Sequence, residues 1–164
     1  MTIRSTFLLI FLLKILSNIV FYFILPDNIA IHFSSGGRPD SWAPKEINAL
    51  IFLGLDLLLF FLFWYAPSLV MNTPEKWISL PNKSFWLKEE NKPLVRQKLE
   101  SLMSELGIAT FVFMFLISIL TIQANLSKPV KLDESLFVLF LIVFLIYVVF
   151  WCIKIFKAFR LPGS

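Results

Sequence analysis

The sequence is poor in the residues that build most catalytic and metal sites. It has one cysteine, one histidine and five glycines among 164 residues. A single cysteine excludes an intrachain disulfide and a cysteine-based metal cluster. None of the strings HExxH, GxSxG and CxxC occurs, and one histidine leaves few choices for a general base. The sequence therefore predicts a protein that is not an enzyme, with no cofactor and no metal site.

Charge is also scarce, and apolar residues take its place. Charged residues make up 16% of the chain, hydrophobic residues 58%, and 19 residues are phenylalanine, whereas a soluble domain is about 45–50% apolar. The net charge of +4 arises from basic residues beside apolar runs, which is typical of membrane flanks rather than of nucleic-acid binding. We expect a single integral membrane domain over residues 1–164, with the lipid bilayer as its partner and no nucleic acid.

Four apolar runs approach the roughly 20 residues that span a bilayer core. We place the spans at about 6–25, 47–66, 106–124 and 135–156, with an outer loop at 26–46 and a cytoplasmic segment at 67–105. The first run exceeds the apolar region of a signal peptide, is interrupted by Lys14 and lacks an A-x-A site, so we expect a span rather than a cleaved leader. Pro26 and Pro67 are expected to end the first two helices.

The segment before the third span has a helical pattern of its own. Its apolar residues recur at helical spacing: Leu94, Val95, Leu99, Leu102, Met103 and Leu106. Such a helix would lie on the membrane surface and run into the third span. The predicted fold is thus an all-α membrane protein, a four-helix transmembrane bundle with an amphipathic interfacial helix between spans two and three.

The distribution of basic residues predicts the orientation. Ten lysine and arginine residues fall on the side that holds both termini and the segment 67–105, and four fall on the other side. Because cytoplasmic flanks carry the excess of basic residues, we expect a multi-pass protein of the bacterial cytoplasmic membrane with both termini in the cytoplasm. The segment 26–46 would then face outward.

Two ionisable residues lie well inside the predicted spans. Lys14 is twelve residues before Pro26, and Asp56 is twelve residues after Pro44, so both lie about 18 Å below the outer loop. Each costs a few kcal/mol in a bilayer centre unless it is paired or hydrated. We expect a Lys14–Asp56 pair with Asn18 nearby, because Asn18 is one helical turn from Lys14. The pair is either a structural lock between two helices or part of a proton or substrate relay.

The outer loop contains the only histidine. His32 with Asp27 and Asp40 offers too few ligands for a zinc site, so a structural or partner-contacting histidine is the better interpretation. Residues 34–37 predict a tight turn, because glycine adopts positive φ at low cost, and residues 39–42 predict a second turn with Trp42 as an aromatic anchor. The loop either folds back onto the bundle or forms a recognition surface.

Two strings resemble a known family. Residues 25–45 follow the pattern LP-x-x-I-x-I-HF-x-x-x-G-x-PD-x-W-x-x-K, and residues 80–87 resemble a P-N-K-x-aromatic-W-L string; Ala124-Asn125-Leu126 is also similar. The chain thereby resembles the bacterial membrane domain-of-unknown-function family sixteen forty-eight, as a stand-alone member. The matched positions are Pro26, His32, Phe33, Gly37, Pro39, Asp40, Trp42 and Lys45 in the first string and Pro81, Asn82, Lys83, Phe85 and Trp86 in the second.

The resemblance implies a small polytopic membrane protein without an assigned activity. The same domain occurs at the N-terminus of SdpI-type immunity proteins, which have an additional C-terminal membrane region and sequester a repressor at the membrane. Two functions stay open. One is a non-enzymatic accessory, immunity or sensing protein with a protein partner at the outer loop or the cytoplasmic segment. The other is a small transporter or channel component that uses Lys14, Asn18 and Asp56. The sequence does not set the oligomeric state.

Overall fold

Four long helices and one β-hairpin form the structure, a computed structural model that describes residues 2–161. In chain order the elements are α1 (Ile3–Ile24), β1 (Asn28–Ser34), β2 (Arg38–Pro44), α2 (Lys45–Met71), the short α3 (Lys83–Trp86), α4 (Lys92–Leu126) and α5 (Glu134–Ala158). In this part of the chain four helices, α1, α2, α4 and α5, are long and apolar enough to cross a membrane. The protein is therefore a multi-pass membrane protein, and its helices overlap the four predicted spans.

The ends of α1 follow from local chemistry. The Thr2 side chain accepts a hydrogen bond from the Ser5 backbone N–H and caps the first turn. At the other end Leu25 is extended, with ψ of 145°, because a residue before proline is pushed out of the helical region. Pro26 thus ends α1 as predicted.

Pro67 does not end α2, contrary to the prediction. The helix continues to Met71 with Pro67 buried in its interior. A proline inside a helix removes one backbone hydrogen bond, and here the surrounding packing tolerates that loss.

The predicted outer loop is a two-stranded antiparallel hairpin, so the fold is not purely α-helical. Asn28 pairs with Pro44 and Ser34 with Arg38 at the two ends of the ladder, and an irregularity lies between Ala30 and Phe33. The tight turn is present, with Gly36 at φ 79° and Gly37 at φ 72°. The second turn predicted at residues 39–42 is wrong, because those residues belong to β2 and pair with β1 across the ladder.

The predicted interfacial helix is not a separate element. Its residues form the first part of α4, which runs without a break from Lys92 to Leu126. The apolar face at Val95, Leu99 and Leu102 is buried in a cluster with Trp86 and Phe159. The helical periodicity therefore coincides with a face that packs against the rest of the protein.

Helix α4 is the centre of the bundle. It packs against α1, α2 and α5, and α1 also packs against α2. The contact with α1 is close because Gly107 lies directly against the ring of Phe7. Helix α5 lies mainly along α4 and has no buried residue within the described chain. Three helices thus surround one interior, and α5 is an outlying fourth.

Candidate functional site

Lys14, Asn18 and Asp56 form a closed polar triad in the middle of the bundle. The Lys14 ammonium donates to Asn18 Oδ1 at 2.6 Å and to Asp56 Oδ2 at 3.1 Å, and Asn18 Nδ2 donates to the same Asp56 oxygen at 2.6 Å. The relative exposure is 2% for Lys14 and 0% for Asp56. The structure thus brings together the three intramembrane residues that the sequence singles out.

The placement of the triad follows from helix geometry. Lys14 and Asn18 are four residues apart on α1 and share one face of that helix. The hairpin reverses the chain, so α2 runs antiparallel to α1 and carries Asp56 to the same depth. Removing one partner of such a buried pair costs about 3–5 kcal/mol, because the other charge is left uncompensated. The triad therefore favours one registry between α1 and α2.

One atom of the triad is unsatisfied. Asp56 Oδ1 is buried and has no hydrogen-bond partner in the described part of the chain. A buried polar atom without a partner costs about 1–3 kcal/mol, and more if it is charged. This oxygen is the one buried polar side-chain atom in the described part of the chain that has no hydrogen-bond partner at all.

A cavity lies on the hairpin side of the triad, between α1, α2 and α4. Its volume is about 40 Å³. A single water molecule needs a cavity of about 10–15 Å³, so this cavity is large enough for water. Its polar lining comprises Asn18, Lys45, Asn48, Ser118 and Thr121, and its apolar lining includes Phe21, Tyr22, Leu25 and Phe52. Asn18 belongs to both the cavity wall and the triad, so it connects the two.

Aromatic side chains fill the bundle on the opposite side of the triad. Phe7 and Phe11 of α1 pack with Phe111 of α4 in one buried cluster, to which Phe60, Phe63 and Trp64 of α2 are added. The rings are close: the centroids of Phe11 and Phe60 are 4.2 Å apart, and those of Phe7 and Phe60 are 5.5 Å apart. We call these six residues the aromatic plug. It separates the triad from the end of the bundle where Arg4 pairs with Glu100.

The hairpin covers the other end of the bundle and is attached at three points. Asn125 of α4 accepts from the Ala30 N–H at 2.7 Å and donates to the Ala30 carbonyl at 3.1 Å. The Leu132 N–H donates to the Gly37 carbonyl, and Glu134 of α5 accepts from the Gly36 N–H. The hairpin is thus held by α4, by α5 and by the link between them.

His32, Asp27 and Asp40, the three hairpin residues that could be compared with a metal site, do not all come together. His32 Nδ1 lies 2.5 Å from Asp40 Oδ1 on the exposed surface, whereas Asp27 pairs with Lys45 at 3.0 Å. No group of three or more histidine, cysteine or carboxylate side chains is placed to hold a metal ion between residues 2 and 161. The His32–Asp40 contact is a surface pair across the two strands.

The remaining motif residues of the hairpin have separate positions. Pro26 and Trp42 are exposed, and Phe33 and Pro39 are half-buried partners across the ladder. Lys45 begins α2, and its ammonium lies 3.4 Å from the Leu25 carbonyl oxygen. Gly37 touches Leu132 so closely that a side chain would collide with the Leu132 backbone. The string therefore combines contacts that hold the hairpin with residues left on its outer face.

The second motif holds the far end of α5. The Phe159 carbonyl accepts from Asn82 Nδ2 at 2.9 Å and from the indole N–H of Trp86 at 2.8 Å. These bonds satisfy a carbonyl that a helix terminus leaves without an intrahelical partner. Phe85 packs at the edge of the same cluster, while Pro81 is half-buried and Lys83 is exposed. Asn82 and Trp86 thus form a clamp on the end of α5.

Sequence reasoning missed the role of Asn125 and the contact of Glu134. Asn125 belongs to a string that resembles the family, and no contact with the hairpin is predicted for it. Its signal is a polar amide in the last turn of a long apolar helix, where it is buried, since such a group needs partners on a neighbouring element. Glu134 carries no comparable signal, because an acidic residue in the first turn is ordinary for any helix.

Comparisons with known proteins agree with the recognised family. Residues 9–56 match the family model described as Domain of unknown function (DUF1648). This segment contains the hairpin and all three residues of the triad. No curated protein and no solved structure matches the chain. The chain is therefore a multi-pass membrane protein whose residues 9–56 match the DUF1648 domain of unknown function.

Proposed function

We propose that the chain is a non-enzymatic membrane protein of accessory, immunity or sensing type, and that its hairpin recognises a partner. The observation that carries this proposal is that the hairpin is attached to the bundle at some residues and leaves others exposed. The attachments are backbone groups of Ala30, Gly36 and Gly37. The exposed residues are Ile31, His32, Asp40 and Trp42.

The exposed residues of the hairpin have the composition of a binding surface. Ile31 and Trp42 are 43% and 47% exposed, and tryptophan is enriched among residues that dominate binding energy. The His32–Asp40 pair adds polar groups beside them. Because the hairpin is already ordered by its attachments, a partner would not have to supply the free energy of folding it.

The geometry of the only histidine supports a non-enzymatic role. His32 is hydrogen-bonded to Asp40, and within residues 2–161 no hydrogen bond joins its ring to a serine, threonine or cysteine side chain. A nucleophile next to a histidine base is the usual sign of covalent catalysis. We propose that no cofactor takes part in the function.

We further propose that the hairpin faces outward from a bacterial cytoplasmic membrane and that both termini are cytoplasmic. The support is the excess of ten basic residues over four at the two ends of the bundle. The test is labelling of Ser35→Cys and Ser84→Cys with an impermeant thiol reagent in intact cells, in a Cys152→Ser background. Both positions are exposed. We expect the reagent to label position 35 and not position 84. Labelling at position 84 alone would mean that the protein has the opposite orientation in the membrane.

Recognition is tested by placing a photoreactive amino acid at position 31 or 42 of the full chain in its native membrane. Position 58 on α2, where Leu58 is 65% exposed, is the lipid-facing control. We expect a discrete protein adduct at the hairpin positions that is reduced by the double substitution of His32 and Asp40 with alanine. Adducts with lipid alone at all three positions would contradict the proposal.

A transporter or channel component is the second candidate function, and the triad is the observation that favours it. Ionisable residues inside a membrane commonly mark ion or proton paths. The aromatic plug lies across such a path in this structure, so transport would require movement of its rings or a path formed in an oligomer. Flux in liposomes that disappears in Asp56→Asn would favour this function over recognition.

A further inference from the structure

We propose that a groove between α1 and α2 binds one anionic phospholipid, with the phosphate at Arg4 and an acyl chain along α1. The groove has a volume of about 410 Å³ and lies at the end of the bundle where α1 begins. The hairpin covers the other end, so the proposal goes beyond recognition by the hairpin and does not depend on it.

The lining of the groove changes from polar to apolar along α1. The polar end is formed by Thr2, Arg4 and Ser5. The apolar end is formed by Leu8, Leu9 and Leu12. These leucines share one face of α1 with Ser5, because residues three, four and seven apart lie on the same side of a helix. At about 1.5 Å per residue, Leu12 lies about 12 Å deeper in the span than Arg4. A phospholipid has the same order, with a charged headgroup at the bilayer surface and an acyl chain below it.

The polar end carries a positive charge that the protein does not fully neutralise. Arg4 Nη1 lies 3.0 Å from Glu100 Oε1, and Arg96 Nε lies 3.1 Å from the same oxygen. One carboxylate thus faces two guanidinium groups, which leaves one net positive charge. A guanidinium has five N–H donors in an arrangement that matches a phosphate, and among residues 2–161 no carboxylate lines the groove. The groove therefore presents a cationic, donor-rich end to its occupant.

Trp64 of α2 forms the opposite wall and holds Arg4 in place. The Arg4 guanidinium carbon lies 4.0 Å from the centroid of the Trp64 ring. The same ring stacks with Phe60, with centroids 5.5 Å apart. A quaternary ammonium is recognised by open aromatic faces, whereas this ring already has the guanidinium and Phe60 as neighbours. The groove therefore favours an anionic phospholipid over a choline phospholipid.

The apolar end of the groove is open to the membrane. Leu8, Leu9 and Leu12 are 37%, 44% and 53% exposed, so an acyl chain can reach them from the surrounding lipid. In the orientation proposed above, the groove opens into the cytoplasmic leaflet, which carries the negative surface potential of anionic lipids. The leaflet beside Arg4 thus supplies the proposed occupant.

The test is native mass spectrometry of the full chain, released from detergent after incubation with phosphatidylglycerol, phosphatidylcholine or inorganic phosphate. We expect each chain to retain one phosphatidylglycerol molecule, to retain phosphatidylcholine less, and to keep its lipid in excess inorganic phosphate. Arg4→Gln should weaken the retention of phosphatidylglycerol about fivefold, and Arg4→Lys should weaken it less. Lys88→Gln is the matched control, because it removes an exposed positive charge outside the groove and should leave the retention unchanged.

A second variant keeps Arg4 and tests the apolar end, and it also serves if Arg4→Gln does not fold. Leu9→Trp fills the groove and should weaken the retention of phosphatidylglycerol. Leu58→Trp, at a position on α2 that is 65% exposed and outside the groove, should not. The proposal would be overturned by no retained phosphatidylglycerol, by equal retention of the two lipids, or by displacement of the lipid with phosphate. Retention as strong in Arg4→Gln and Leu9→Trp as in their controls would also overturn it. Cross-linking at positions 31 and 42 reports on recognition separately.

Discussion

Asn125, near the end of α4, completes two hydrogen bonds with the backbone of Ala30 in β1. The donor–acceptor distances are 2.7 Å and 3.1 Å, and both residues are buried. The amide takes the place that a neighbouring strand would occupy, so it satisfies one backbone N–H and one backbone carbonyl of the hairpin. Asn125 is therefore one of the three attachments that hold the hairpin over the polar cavity.

Asn125→Leu should loosen the hairpin from the bundle. The two hydrogen bonds to the hairpin and a third to the Thr121 carbonyl are lost, and two buried backbone groups of Ala30 are left without these partners. We expect destabilisation of about 1–3 kcal/mol for each unsatisfied group. Amide hydrogen exchange at Ala30 should become faster, and the thermal midpoint in detergent should fall. Gln123→Leu is the matched control, because Gln123 is exposed two residues earlier on the same helix. Equal exchange at Ala30 in both variants would show that Asn125 does not hold the hairpin.

Gly37→Ala should be more damaging than Gly36→Ala. Both glycines have positive φ, so each substitution carries a similar backbone penalty of about 1–2 kcal/mol. Only at Gly37 would the added carbon meet the Leu132 backbone, whereas nothing lies within 4 Å at Gly36. The difference between the thermal midpoints of the two variants measures how much the contact between Gly37 and the α4–α5 link contributes to stability. Equal midpoints would mean that this contact is unimportant.

Gly107→Ala should disturb the contact between α1 and α4. The added methyl group collides with the Phe7 ring, and forced overpacking costs about 1–3 kcal/mol. Gly54→Ala on α2 is the control, because no atom lies within 4 Å of the new carbon, and we expect a change within about 1 kcal/mol. The two variants are compared by measuring their resistance to unfolding in a denaturing detergent. If both variants resist equally, the close approach at Gly107 is not required.

Trp86→Phe should release the end of α5 while keeping an aromatic ring in the cluster. The substitution removes the N–H that donates to the Phe159 carbonyl, and we expect a loss of about 1 kcal/mol. Hydrogen exchange at residues 155–160 should increase. Trp77→Phe provides the comparison, since Trp77 is 74% exposed and should leave α5 unchanged. An unaffected α5 in Trp86→Phe would argue against the clamp.

The helices could be predicted from the sequence because lipid-spanning runs have a simple physical signature. Length and apolar content placed the spans, and Pro26 marked the end of α1. Pro67 was misjudged because a single residue cannot report whether its neighbours compensate for a lost hydrogen bond. The hairpin was missed because its strands lack the alternation of a half-buried sheet: Ile29 and Ala30 are consecutive buried residues in β1, and β2 contains two prolines.

The triad could be anticipated to a larger extent than the hairpin contacts. Charged residues stand out in apolar runs. Because Lys14 and Asp56 are equally far along the chain from Pro26 and Pro44, they are predicted to lie at the same depth in the membrane. The cavity and the aromatic plug could not be predicted, because they depend on which faces of α1, α2 and α4 meet. Likewise, nothing in the local sequence of Asn82 and Trp86 indicates that their partner is a carbonyl 77 or 73 residues away.

The central claim is that Lys14 and Asp56 fix α1 against α2, and a charge exchange tests it most directly. The folded fraction should be measured by size-exclusion chromatography in detergent for Lys14→Asp, Asp56→Lys and the double exchange. Each single variant buries two like charges, so we expect a large loss of folded protein from both. The double exchange restores opposite charges beside Asn18 and should recover most of it. A double variant as depleted as the single ones, or single variants that fold normally, would contradict the account.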